Sequence, residues 1–493
     1  MPDLPTRRRL KGLGLASAAA AGLAACATVP GSDVPAGAPI TQAEAQQGAQ
    51  YHEQFLAEFG GAYTGPQAAY VEQVGRNIAA QSGLGNQSSF VVTLLNSSVD
   101  NAFAVPGGYV YVTRQLVALM NNEAELAGVL GHEVGHVAAR HSARRQQTAQ
   151  RNQILGVLGS VLSGVLFGNS QLGQLGQQLA SSAPQLATLS YSRAQETEAD
   201  QLGVNYLGSA GYDPRAMATV LQSLAMQNAL DAQIQGRDAT VPEWASTHPD
   251  PAGRVQNALR LAGNGTGVTN RDTFLTRIDG LLYGDDPRQG MIEGHTFTHP
   301  DMRLTFTAPN GFYLVNGTRA VSINGESGRA QLTTAAYNGN LETYVRQAFQ
   351  AIGGNETPLA PQNLQRTTVN GVPAVYGTAR ATTNSGSLDV VVFAYELAGN
   401  QAVHFATITP AGGASVFNSM FQSLRRISQA EAAQVVPRRV DVVTAGASDT
   451  VQSLARRMAY NDAQVERFRA LNGLGSGETV VAGQKYKIVV RGS

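Results

Sequence analysis

Residues 129–141 read VLGHEVGHVAARH, and this stretch constrains the chain more than any other. The apolar residues recur at helical spacing, so His132, Glu133 and His136 lie on a helix that must be buried. On an α-helix, residues four apart sit about 40° apart around the axis and about 6 Å apart along it. The two imidazoles can therefore aim at one point. Burying two rings and a carboxylate is costly unless each finds a partner. Whatever else the chain forms, it must bring a second polar element against this helix.

The HExxH spacing is that of two histidines holding a zinc ion. The intervening glutamate stands beside the metal and acts as general base toward water. Zn2+ is the expected cofactor, with His132 and His136 as ligands and Glu133 as the catalytic base. A histidine six residues past His136 would supply a third ligand, but Ser142 stands there. His141 comes one residue early and reads as a surface residue. The stretch ETEAD at 196–200 offers carboxylates instead. Glu196 and Asp200 share a helical face, whereas Glu198 points roughly 160° away from Asp200. The expectation is Glu196 on the metal, Asp200 accepting from the far nitrogen of a ligand histidine, and Glu198 on a solvated face.

HEVGH followed by SRAQETEAD at 192–200 resembles the gluzincin metallopeptidases of the HtpX and BepA type, relatives of the CAAX prenyl-protein peptidases. The resemblance covers about 45–262. It implies a mainly helical peptidase domain with a small edge sheet. It implies that Asn101, Ala102, Phe103 and Ala104 form an edge strand that pairs with substrate backbone. In THPDPAGR (247–254), it implies that His248 either polarises the scissile carbonyl or caps the zinc in a resting state, and that Arg254 is a structural clamp. Membrane helices of the HtpX kind and the helical repeats of the BepA kind are not evident.

Around this domain the chain is segmented. Arg7, Arg8, Arg9 and Lys11 precede an apolar run of small residues that ends Leu-Ala-Ala-Cys at 23–26. This has the anatomy of an export signal, too short to span a bilayer. Cys26 is the only cysteine. The site resembles a lipobox with Cys26 lipidated; the alternative is cleavage after Ala25-Cys26-Ala27, which discards the cysteine. Residues 27–40 read as a tether and 41–284 as the HExxH domain. The apolar run 154–168 reads as a buried hairpin, a lid or a lipid-facing surface. Residues 285–427, rich in Thr, Val and Asn-Gly turns, read as an α+β domain without catalytic groups. The segment 438–490 has a β-α-α-β order and resembles the LysM module, with Ser448 and Ala482 where Gly and Pro are usual.

The fold class expected is thus α+β. The 35 basic and 35 acidic residues cancel, which excludes a nucleic-acid partner read from charge. The resemblances imply a zinc endopeptidase of the bacterial periplasm, held to the outer membrane by lipid and acting on misfolded envelope polypeptides, with peptidoglycan as a candidate partner. The alternative is an envelope chaperone or scaffold with a capped or structural zinc site.

Overall fold

The computed structural model describes residues 35–145, 191–235, 248, 250–353, 359–383, 386–397 and 400–492. Cys26 and the apolar run 154–168 lie outside the described residues. Secondary structure is mixed α and β, as the composition of the segments implies.

The first part builds around one buried helix. α1 (Gln42–Glu58) and α2 (Gln67–Ala79) precede a three-stranded sheet of β1 (Val91–Leu95), β2 (Ala102–Val105) and β3 (Tyr109–Thr113). Its order is β1-β3-β2, so β2 is an edge strand. After α3 (Arg114–Leu119) comes α4 (Glu123–Ala138), which carries HEVGH. Asn122 caps α4 by accepting from the Glu125 N–H, and Glu123 and Glu125 stand in the first turn, where the helix dipole favours anions. Every residue of α4 except Val137 is buried.

α5 (Arg193–Ser209) opens on a Ser192–Gln195 capping box and crosses α4. Glycines make the approach close. A Cβ on Gly135 would stand 3.1 Å from the Ala199 carbonyl oxygen, and one on Gly203 would stand 3.1 Å from the His132 backbone nitrogen. α6 (Ala216–Gln235), α7 (Pro251–Ala262) and α8 (Arg271–Ile278) complete this part.

α4 ends at Ala138. The helix breaks after Ala139, because Arg140 adopts φ 51, and a short turn of helix follows to residue 145. A positive φ is uncommon for a residue with a side chain. Arg140 is held there by Glu44 at 3.0 Å and by the carbonyls of Pro35, Ala38 and Pro39. Residues 35–40, read from composition as tether, are thereby strapped across the end of α4.

β4 (Leu282–Tyr283) leaves this part and the chain returns to it much later. Between lie β5 (Met291–Glu293), β6 (Thr296–His299), β7 (Leu304–Thr307), β8 (Phe312–Asn316), β9 (Ala320–Gly325), β10 (Gly328–Thr334), α9 (Leu341–Gly353), β11 (Gln362–Val369), β12 (Val372–Thr383), β13 (Gly386–Leu397), β14 (Gln401–Pro410), α10 (Asn418–Ser423), β15 (Arg425–Arg426) and α11 (Gln429–Ala433). A seven-stranded sheet, β11-β12-β13-β14-β10-β9-β8, packs α9 on one face and a four-stranded sheet, β15-β7-β6-β5, on the other. Asn370 (φ 49) and Gly371 (φ 79) make the two-residue turn between β11 and β12, as an Asn-Gly pair should. Asn324-Gly325 does not: it ends β9, and the turn falls on Glu326 and Ser327.

The last segment supplies β16 (Arg438–Thr444), α12 (Val451–Ala455), α13 (Gln464–Asn472) and β17 (Lys485–Arg491). β16 pairs with both β17 and β4, placing Arg438 opposite Tyr283. Its apolar residues, among them Val440, Leu454, Phe468, Leu471 and Ile488, join the same core as α2, α4 and α6.

Candidate active site

The close crossing of α4 and α5 decides the site. His132 and His136 project from α4, Glu196 from α5, and His248 from the segment before α7; all four are buried. Their donor atoms converge. The Nε2 atoms of His132 and His136 are 3.0 Å apart. Glu196 Oε2 is 3.5 Å from the first, and its Oε1 is 3.4 Å from the second. His248 Nδ1 stands 3.3 Å from His132 Nε2 and 3.2 Å from Glu196 Oε1. A tetrahedral zinc with bonds of roughly 2.0–2.1 Å has donor atoms about 3.3 Å apart. The donor set is therefore the right chemistry at the right spacing, and the residues fit the metal.

Behind the donors, His132 Nδ1 lies 2.9 Å from Asp200 Oδ1. Arg254 clamps this carboxylate through two hydrogen bonds, Nε to Oδ2 at 2.8 Å and Nη2 to Oδ1 at 2.6 Å, and its Nη1 is 2.7 Å from Glu196. Burial alone would raise the Asp200 carboxyl, but the bonds from Arg254 and His132 bring it down to about 2. Burial likewise opposes ionisation of Glu196, and the three histidines overcome it, holding the group well below the usual carboxylate range. Burial lowers His132, yet its bonds to Asp200 and Glu196 carry it to about 9, whereas burial pushes His136 well below 6.5 despite its own bond to Glu196. A divalent cation entering this set displaces those protons.

Glu133 is different. Both of its carboxylate oxygens are buried and lack a hydrogen-bond partner among the described residues, and His248 Nε2 is 3.3 Å from Oε1. Burial raises its pKa. A buried carboxyl that finds no hydrogen bond among the described residues, next to the donor cluster, is suited to taking and returning a proton.

Residues 66–262 match the family model described as peptidase family M48. This stretch is an M48 metallopeptidase domain. Over 196 residues the chain is 35% identical to the beta-barrel assembly-enhancing protease of Yersinia pestis and 33% identical to that of Escherichia coli K12. In both cases the match spans 39% of this chain and 38% of the relative. The mitochondrial metalloendopeptidase OMA1 of Bos taurus is 28% identical over 177 residues, 36% of this chain and 33% of its own length. The chain thus spans well under half the length of the curated relatives it matches. M48 peptidases are zinc-dependent, in keeping with the donor set.

Within the M48 domain, β2 carries Ala102, Phe103 and Ala104 at the sheet edge, directly after Asn101. The Asn101 side chain is buried, and neither its Oδ1 nor its Nδ2 has a hydrogen-bond partner among the described residues. A small cavity lined by Ala104, Val105, His136 and Tyr191 joins this edge to the donor cluster. Tyr191 stacks on the His136 ring at 3.9 Å between centroids.

One residue departs from the sequence reading: His141 is fully buried rather than at the surface, while Glu198 is exposed as expected and its Oε2 lies 3.1 Å from His141 Nε2. Continuing α4 past Arg140 would turn His141 away from His136. The break at Arg140 folds it back instead, with its Nδ1 2.7 Å from His136 Nδ1. No periodic signal marks this, because the break depends on Glu44, 96 residues away.

Proposed function

We propose that this chain is a zinc endopeptidase of the bacterial envelope in which His132, His136 and Glu196 hold the metal, Asp200 orients His132, and Glu133 is the general base. The observation that carries this reading is the pairing of a four-donor cluster at tetrahedral spacing with a neighbouring buried carboxylate that has no hydrogen bond among the described residues. Zinc supplies a Lewis acid that polarises a peptide carbonyl and activates water. Glu133 accepts the proton that the attacking water gives up and delivers it to the leaving amine. Asn101 and the edge of β2 (Ala102, Phe103, Ala104) align an extended substrate backbone. The relatives' name ties them to assembly of β-barrel proteins, which supports misfolded or misassembled envelope polypeptides as the substrate class.

His248 supplies the fourth donor, so the arrangement is that of a closed resting site. The same observation favours a second reading, a chaperone or scaffold whose capped zinc site never opens. Digestion of an unfolded protein, with and without a chelator, separates them. Chelator-sensitive cleavage that is lost in Glu133→Gln, with zinc retained, supports the peptidase. No cleavage by a zinc-loaded protein supports the scaffold. His248→Ala should cleave small peptides faster than the parent; slower cleavage with zinc retained would make His248 a catalytic group instead of a cap.

Periplasmic location, a lipid on Cys26 and affinity for peptidoglycan belong to the same proposal. Labelled fatty-acid incorporation and pull-down on purified peptidoglycan test the last two. Among the described residues no helix is long and apolar enough to cross a membrane.

A further inference from the structure

The two histidines of HEVGH are backed unequally. His132 meets Asp200 directly, in a buried pair locked by Arg254. His136 meets a second imidazole. Its Nδ1 is 2.7 Å from His141 Nδ1, and His141 Nε2 is 3.1 Å from Glu198 Oε2. Glu198 also accepts from Arg144 at 3.0 Å, and its side chain is 43% exposed. The row therefore runs from a surface carboxylate, through a buried ring, to a donor of the metal cluster.

Protons can be arranged along this row consistently in one way that leaves His136 free to bind a metal. Glu198, ionised, accepts from His141 Nε2–H. That leaves a lone pair on His141 Nδ1, which accepts from His136 Nδ1–H. His136 Nε2 then carries a lone pair and faces the other donors. The reverse arrangement would protonate His136 Nε2 and remove it from the set. A neutral histidine makes one ring nitrogen a donor and the other an acceptor, and the partner of the far nitrogen selects which.

We propose that His141, backed by Glu198, is a positioning residue that fixes the tautomer and ring orientation of His136 for metal binding. The inference rests on the zinc-site reading above. Arg140 makes the row possible, since its left-handed backbone returns His141 to the His136 ring. Tyr191, stacked on His136, closes the other side of that ring.

The test is zinc affinity by competition with a chromophoric chelator, together with the visible spectrum of the Co2+-loaded protein. His141→Leu fills the space and offers no acceptor. It should bind zinc 10–100-fold more weakly, the usual cost of losing an outer-shell partner, and change the cobalt bands. His141→Gln restores an acceptor toward His136 and a donor toward Glu198, and should recover zinc affinity to within about threefold of the parent with the parent's spectrum. Glu198→Leu, at the surface, should weaken zinc by up to about tenfold. Unchanged affinity and spectrum in His141→Leu would overturn the inference, as would equal losses in the Leu and Gln variants. If His141→Leu does not fold, Glu198→Leu decides, and parental zinc affinity there rejects the row. A parent protein that takes up no zinc would instead reject the metal-site reading.

Discussion

Two segments follow the M48 domain, and they relate to it in opposite ways. The sheet domain at 291–427 buries its apolar residues in two clusters of its own, one between its sheets and one under α9. Among the described residues, the β-α-α-β unit at 438–491 buries its apolar side chains in the same cluster as the M48 domain. The sheet domain is an insertion: β4 leaves the peptidase core at Tyr283, and β16 re-enters opposite it at Arg438. A unit that resembles a detachable module is thus built in, while the larger segment is the appendage. What decides is which apolar faces are left to share. A unit this short closes a core of its own only marginally and gains by sharing one.

The contrast can be broken most severely by truncation. A chain ending at residue 436 removes β16, β17, α12 and α13, and with them part of the peptidase core. It should fail to fold the M48 domain and retain no zinc, read by circular dichroism and metal content. A soluble, active truncate would show that the unit is independent after all.

Next in size is Lys487, on β17. It is fully buried, and its Nζ donates to the carbonyls of Ala118 and Met120 at the end of α3. Burial pushes it down to about 7, opposed by attraction to Glu125 on α4. Lys487→Met leaves those carbonyls and Glu125 without it, and should cost about 3–5 kcal/mol in denaturant unfolding. A loss below about 1 kcal/mol would mean the docking is apolar contact alone.

Acid tests the sheet domain separately. Burial holds His404 at about 4 against an ordinary 6.5, beside Tyr344 at 3.0 Å. The unfolded chain therefore takes up this proton first. The contribution of His404 is intact above pH 6.5 and is lost as the pH falls toward 4, by about 3 kcal/mol in total. Hydrogen exchange should show the sheet domain loosening in that window, and His404→Gln should flatten the slope. Loosening that reached the M48 helices in step would argue against separate cores.

Excision is the smallest expected effect. Replacing residues 290–434 by a short Gly/Ser linker spares both strands of the β4–β16 pair. Zinc content and peptidase activity on a small peptide should stay near the parent's, and their collapse would show that the sheet domain supports the site.

Local periodicity made much of the site legible. His132 and His136 one turn apart, and Glu196 and Asp200 on one face of their helix, follow from 3.6 residues per turn whatever surrounds them. The capping residues Asn122 and Ser192 mark where those two helices begin. The Asn-Gly pairs announced hairpins, but their register required the partner strands: Asn370-Gly371 is a turn, and Asn324-Gly325 is the end of a strand.

What the sequence by itself determined is the chemistry: which side chains face one point, and which metal suits them. Only the tertiary structure decided how that point is closed and backed. Glycines on α4 and α5 let two backbones meet, Glu44 bends the chain at Arg140 so that His141 reaches His136, and the last strand sends Lys487 under the motif helix. Each of these joins residues far apart in the chain. A helical repeat is set by each residue and its near neighbours, whereas a docked strand or a strained backbone is held by contacts that exist only once the whole core has formed.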